Sequence, residues 1–150
     1  MIADLAPKLK RPRRLEGCRV LVVEDDFFQA DDLSCALRDY GAEVVGPAAT
    51  YEDGLLMLVA GGRIDVALLD INLGGEMAYP LADILLDSGV DVVLATGYDL
   101  SAVPGRFLNL ARVEKPFDAG TLALNLPELI RYGRRRRPFR GGTPGGQRAG

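Results

Sequence analysis

Five short apolar runs, at residues 19–23, 42–46, 64–69, 90–95 and 110–113, recur along this 150-residue chain with helix-like stretches between them. Each run is only four to six residues long and rich in Val, Leu or Ile. That pattern suits strands buried on both faces, not half-exposed strands with polar and apolar residues alternating. The stretches between have helical spacing. Leu33, Ala36, Leu37 and Tyr40 fall on one helix face, with Gly41 as a stop. Thr50 and Asp53 have capping-box spacing ahead of Leu55, Leu56, Leu58 and Val59. Pro80 suits the first turn of a helix through residue 87, closed by Gly89. Asp118 suits the cap of a last helix from about Ala119, which Pro127 should kink or split. The segment from Thr96 to Leu110 carries Pro104 and Gly105, so any fourth helix there should be short or irregular. Strand–helix alternation with short connections implies right-handed crossovers. The expected fold is α/β, a five-stranded doubly wound parallel sheet.

Charge is distributed unevenly. Residues 1–16 hold five basic residues and residues 131–150 hold seven, while residues 17–130 keep six basic against nineteen acidic residues, a formal charge of −13. The sequence therefore reads as an acidic domain over 17–131 between a basic tail, 1–16, and an Arg/Gly-rich tail, 132–150, both expected to be disordered. The acidic body should repel nucleic acid and attract cations or a basic partner surface. The Arg-rich end suits either a contact with nucleic acid or membrane, or a solubilising end that touches the acidic body. No apolar run approaches the ~18 residues needed to span a bilayer, and the N-terminus lacks a signal-peptide apolar stretch. A cytoplasmic location follows as an expectation. The chain has no histidine and two cysteines, Cys18 and Cys35, which excludes the usual zinc sites and every His-based triad. Both thiols are expected to be reduced.

In open parallel sheets ligands bind at the carboxyl ends of the strands. The residues that follow the apolar runs are Glu24, Asp25 and Asp26; Asp70, Ile71 and Asn72; Thr96; and Lys115 with Pro116. One edge thus collects carboxylates, a hydroxyl and an ammonium. Individually each has an ordinary explanation: Asp26, for example, could simply cap a helix. Together they describe a site. Carboxylates within a few ångströms repel one another unless a cation sits among them. Oxygen-only ligands on a rigid edge suit Mg²⁺. Asp70 is then placed to act as a nucleophile toward phosphorus, with Lys115 and Thr96 able to take charge on the transferred oxygens.

These residues are similar to a known family. The stretches Val20-Leu21-Val22-Val23-Glu24-Asp25-Asp26, Leu68-Leu69-Asp70-Ile71-Asn72-Leu73, Ala95-Thr96 and Glu114-Lys115-Pro116-Phe117 resemble, in order, the motifs of a response-regulator receiver domain of bacterial two-component signalling. The resemblance implies a flavodoxin-like fold with Asp70 as phosphoacceptor. It implies Mg²⁺ held by Asp25 directly, by Glu24 through water, by Asp70 and by the Asn72 backbone carbonyl. It assigns Thr96 as the switch hydroxyl and Lys115 as the phosphate-binding lysine, with Asp26 either completing the acidic pocket or capping the first helix. It also implies a cis Lys115-Pro116 bond. Receivers usually carry an aromatic switch residue three positions before the lysine; Arg112 stands there. With Leu94-Ala95-Thr96-Gly97-Tyr98, this resembles stand-alone receivers bearing a Phe-Ala-Thr-Gly-Tyr signature, with Leu94 in place of Phe. A loop from Gly97 to Gly105 that orders on phosphorylation is the readout expected for such a chain, and Tyr98 either substitutes for the missing aromatic or is an ordinary loop residue.

Three functions compete. The first is a signalling module, not an enzyme. It takes a phosphoryl group from a histidine kinase or phosphotransfer protein, because the chain has no imidazole of its own, and acts by protein contact or as a phosphate sink. The second is a receiver-like binding platform that is never phosphorylated. The third is a haloacid-dehalogenase-type phosphohydrolase, which would want Asp-x-Asp after the first strand where this chain has Glu24-Asp25-Asp26. No membrane or direct DNA contact is expected, and the cognate kinase and oligomeric state have no sequence signature.

Overall fold

The computed structural model describes residues 14–97 and 103–136. The five predicted runs become β1 (Arg19–Val23), β2 (Glu43–Ala48), β3 (Val66–Asp70), β6 (Asp91–Thr96) and β7 (Ala111–Glu114), all parallel in the order β2-β1-β3-β6-β7. Four helices cover them: α1 (Phe27–Asp39), α2 (Tyr51–Ala60), α3 (Tyr79–Asp87) and α4 (Ala119–Arg136). This is the doubly wound parallel sheet expected from the alternation, and the flavodoxin-like fold that the resemblance implied.

Period-2 geometry splits each central strand between two cores. Val20, Val22, Val66, Leu68 and Val93 point to one face, where Leu33 and Leu37 of α1 and Leu122, Ala123 and Leu126 of α4 close over them. Leu21, Val23, Ala67, Leu69, Val92 and Leu94 point to the other face, against Leu81, Ala82 and Leu85 of α3 and against Phe107 and Leu110. Because both faces are covered, the strands read as continuous apolar runs.

The helix starts match their local signals. The Asp26 carboxylate accepts from Gln29 N at 3.0 Å, Thr50 Oγ1 accepts from Asp53 N at 3.0 Å, and Asp118 Oδ2 accepts from Thr121 N at 2.8 Å. Between β6 and β7 the described residues contain no α-helix; Gly105–Phe107 makes a single 3₁₀ turn, as the Pro104-Gly105 pair suggested.

Three features differ from the sequence reading. Leu15 is only 3% exposed, and its amide donates to Tyr40 O at 2.8 Å, so the folded body begins before residue 17. A single leucine among basic residues has no periodicity to reveal it. α4 is not split at Pro127 and runs to Arg136, past the boundary at 131. Burial of Leu122, Ala123, Leu126 and Gly133 on both sides of Pro127 keeps the helix continuous, which outweighs the cost of one missing amide donor. The third difference is an added two-stranded hairpin, β4 (Asn72–Leu73) with β5 (Glu76–Met77), directly after β3. Gly74 and Gly75 form its turn, both with positive φ (64° and 99°), as a tight two-residue hairpin loop requires. Residues 1–13, 98–102 and 137–150, which include Tyr98 and most of both predicted tails, lie outside the described residues.

Candidate functional site

Parallel strands place all their carboxyl ends on one edge, and the site is built there from four separate stretches. β1 ends at Val23, so Glu24, Asp25 and Asp26 cross the edge; Asp70 and Thr96 are the last residues of β3 and β6; Lys115 follows β7. Glu24, Asp70 and Thr96 are buried, at 6%, 6% and 4% exposure, whereas Asp25 is exposed.

Lys115 joins the two buried acids. Its Nζ donates to Glu24 Oε1 at 2.8 Å and to Asp70 Oδ2 at 2.9 Å. The other oxygens of these acids meet backbone amides: Asp26 N donates to Glu24 Oε2 at 3.0 Å and Asn72 N to Asp70 Oδ1 at 3.2 Å. Carboxylate oxygens of Glu24, Asp25 and Asp70 all lie within 4.8 Å of one another. Three acids therefore face one ammonium. Burial lifts the Glu24 carboxyl, the charge of Asp70 adds to the effect, and together they outweigh the bonds from Lys115 and the Asp26 amide, raising it to about 7. Burial alone would lower Lys115, but its bonds to Glu24 and Asp70 outweigh burial and raise it.

This donor set fits a hard divalent cation. It offers only oxygen ligands, and three carboxylates beside a single ammonium leave the cluster with excess negative charge. The acidic cluster could hold such an ion through Glu24, Asp25 and Asp70.

Other predicted residues divide. Asn72 stands beside Asp70 through its amide, and its side-chain Oδ1 accepts from Gly75 N at 2.7 Å. The Asp26 side chain caps α1, the simpler of its two predicted roles. Thr96 pairs in register with Glu114, and its carbonyl accepts from Lys115 N at 2.9 Å, so the two residues adjoin across β6 and β7. Lys115-Pro116 is cis, as is Gly46-Pro47. Arg112 is partly buried, and its guanidinium donates to Leu108 O at 3.1 Å and, more weakly, to Leu110 O at 3.5 Å.

Two features were not anticipated. Phe27 and Phe28 open α1 at 73% and 77% exposure, their rings edge-on at 5.6 Å, and residues this apolar were read as neither core nor site. The hairpin turn at Gly74 lies over Asp25: a Cβ there would be 3.7 Å from Asp25 Oδ2. Its signal, Gly-Gly between two short extended stretches, was present in the sequence.

No protein-family model matches the chain. Among solved structures, SdrG from Sphingomonas melonis Fr1 is 35% identical, with a TM-score of 0.63, over 75% of this chain and 96% of that one. A CheY-like response regulator receiver domain protein from Methanospirillum hungatei JF-1 is 25% identical, with a TM-score of 0.61, over 80% and 98%. The chain belongs to the response-regulator receiver family. Among curated proteins, this receiver is 35% identical over 104 residues to the sensory transduction protein LytT of Bacillus cereus, covering 67% of this chain and 42% of LytT. The receiver thus spans about two fifths of the length of that relative. No helix among its described residues is long and apolar enough to cross a membrane.

Proposed function

We propose that this receiver accepts a phosphoryl group on Asp70 from a phosphohistidine of a histidine kinase or phosphotransfer protein, in a Mg²⁺-dependent reaction. The observation that carries the proposal is Lys115 bridging Glu24 and Asp70 beside a third carboxylate at the strand ends. In the transfer, an Asp70 carboxylate oxygen forms a bond to phosphorus. The phosphorus–nitrogen bond of the donor breaks, and the imidazole nitrogen leaves with the electron pair. Lys115 exchanges its bond to Asp70 for one to a transferred oxygen, and the Thr96 hydroxyl takes another. Glu24, Asp25, Asp70 and the Asn72 carbonyl would hold Mg²⁺, which when bound neutralises charge on the transferring phosphoryl oxygens. The Asn72 amide and Lys115 keep Asp70 aimed at the edge.

The aspartyl phosphate carries roughly −1.5 to −2 charge where the free carboxylate carried −1, so the site becomes more negative by up to about one unit. Arg112, which donates to the Leu108 and Leu110 carbonyls, stands where an aromatic switch residue would otherwise be, so the response passes through the segment between Thr96 and β7. Output is by protein contact or by draining phosphoryl groups from a shared donor, in the cytoplasm and without enzymatic turnover of a substrate. The test is incubation of the purified chain with Mg²⁺ and a small phosphodonor, read by intact-protein mass. Wild type should gain one acid-stable, hydroxylamine-labile phosphoryl group, and Asp70→Asn should gain none. Equal labelling of the two would refute the assignment.

A further inference from the structure

We infer that the side chain of Asn72 is a positioning residue for divalent-cation binding, acting through the β4–β5 hairpin; this rests on the cation-dependent reading above. Asn72 occupies a junction. Its amide donates to Asp70 Oδ1 at 3.2 Å, while its own Oδ1 accepts from Gly75 N at 2.7 Å across the turn. The hairpin is anchored at both ends: Leu73 and Ala78 are buried, and Ala78 N donates to Ile71 O at 2.8 Å. Between the anchors only two residue pairs, Asn72 with Met77 and Leu73 with Glu76, form the ladder. A ladder that short is marginal by itself, so the Asn72–Gly75 bond adds to what sets the turn. The turn in turn borders Asp25, because a Cβ added at Gly74 would stand 3.7 Å from Asp25 Oδ2. Asp25 is the exposed member of the three-carboxylate cluster, and exposed side chains lose the most rotamer freedom when they take up an ion. Asn72 therefore connects the phosphoacceptor candidate on β3, through its backbone N–H, to the wall that limits where Asp25 can go, through its side-chain oxygen. Groups that orient metal ligands without touching the metal typically change affinity by ten- to a hundredfold.

The test uses the full chain and Mn²⁺ as a paramagnetic probe, with affinity read from the free-ion electron paramagnetic resonance signal and Gly75 amide protection read by hydrogen exchange. Asn72→Ala should weaken Mn²⁺ binding about tenfold and speed Gly75 exchange, with the melting temperature of the ion-free protein within a few degrees of wild type. Asn72→Asp keeps the acceptor and should restore Gly75 protection, and Gly75 exchange as fast as in Asn72→Ala would overturn the role of the turn. Wild-type Mn²⁺ affinity in Asn72→Ala would overturn the inference and leave the phosphoacceptor reading standing. No Mn²⁺ binding by the wild type would overturn both.

Discussion

Lys115 Nζ sits between Glu24 and Asp70, 2.8 Å and 2.9 Å from their carboxylates, although 91 and 45 residues separate it from them in sequence. It compensates two buried acids at once, and Asp25 adds a third negative charge within 4.8 Å. Removing the ammonium should therefore be felt in the fold as well as in the chemistry. Lys115→Met should destabilise the ion-free protein by about 1–3 kcal/mol, since both acids stay buried without their cation. Mg²⁺ should recover part of that loss. Urea melts in EDTA and in Mg²⁺ measure both, and a Lys115→Met protein as stable as wild type in EDTA would contradict this picture.

The exposure of Asp25 separates binding from folding. Asp25→Asn should leave stability in EDTA within about 0.5 kcal/mol of wild type, as for most surface substitutions. Wild type should gain about 1.4 kcal/mol at ten times its Mg²⁺ dissociation constant. The variant should need severalfold more Mg²⁺ for the same gain. Thermal melts across a Mg²⁺ series would show it, and overlapping curves would remove Asp25 from the ligand set.

At the opposite end of the sheet, Asp65 accepts from Arg19 N at 2.8 Å and pairs with Arg63 at 3.2 Å. Burial alone would raise its carboxyl, but these partners outweigh burial and hold it below its ordinary value of 3.8. A depressed folded-state value means that Asp65 contributes stability above about pH 4, which is lost as pH falls through the folded value. The side chain is 38% exposed, so screening keeps the effect small. Asp65→Asn should be less stable than wild type at pH 6, and the gap should narrow by pH 3 in parallel urea titrations. A gap that widens toward pH 3 would reverse the sign.

Gly54 lies inside α2 and is buried. Alanine there would gain up to about 1 kcal/mol in helix propensity, yet its Cβ would stand 2.8 Å from Leu81 Cδ2 and 3.5 Å from Val23 Cγ2. Leu81 is fully buried and has little room to turn away. Overpacking costs about 1–3 kcal/mol, so Gly54→Ala should be net destabilising by about 1 kcal/mol. A stabilised variant in chemical denaturation would mean that α2 and α3 separate more easily than their packing implies.

The end of α4 makes a further distinction. Arg134 donates through Nε and Nη2 to Asp91 Oδ2 at 2.9 Å and 2.5 Å, and Gly133 is buried beside it. A chain cut after Arg131 should lose about 1–3 kcal/mol, because the buried Asp91 carboxylate loses its guanidinium. A chain cut after Arg136 should melt like wild type. Equal stability of the two truncations would return the domain boundary to residue 131.

Several of these sites were legible without coordinates, for local reasons. Thr50, Asp118 and Asp26 act as caps because a short polar side chain and the amide it meets lie within three residues of one another. The five strands were legible because burial on both faces leaves an unbroken apolar run, and the parallel arrangement then assigned Glu24, Asp25, Asp70, Thr96 and Lys115 to one edge. Leu15, Arg134 and the continuity of α4 through Pro127 were not legible, since each is decided by what lies opposite in space. Asp26 had two readings from sequence, and its hydrogen bond to Gln29 N, not its charge, shows which role its carboxylate fills.

The sequence by itself determined the layer order of the fold and which chemical groups gather at the strand ends, because residue periodicity encodes which faces are buried and parallel crossovers align the termini. Only the tertiary structure decided that Lys115 is shared between Glu24 and Asp70, that burial raises Glu24 to about 7, and that a glycine turn borders Asp25. Those are distances and dielectric environments between stretches far apart in the chain. They are set by sheet register and packing, which no local pattern contains.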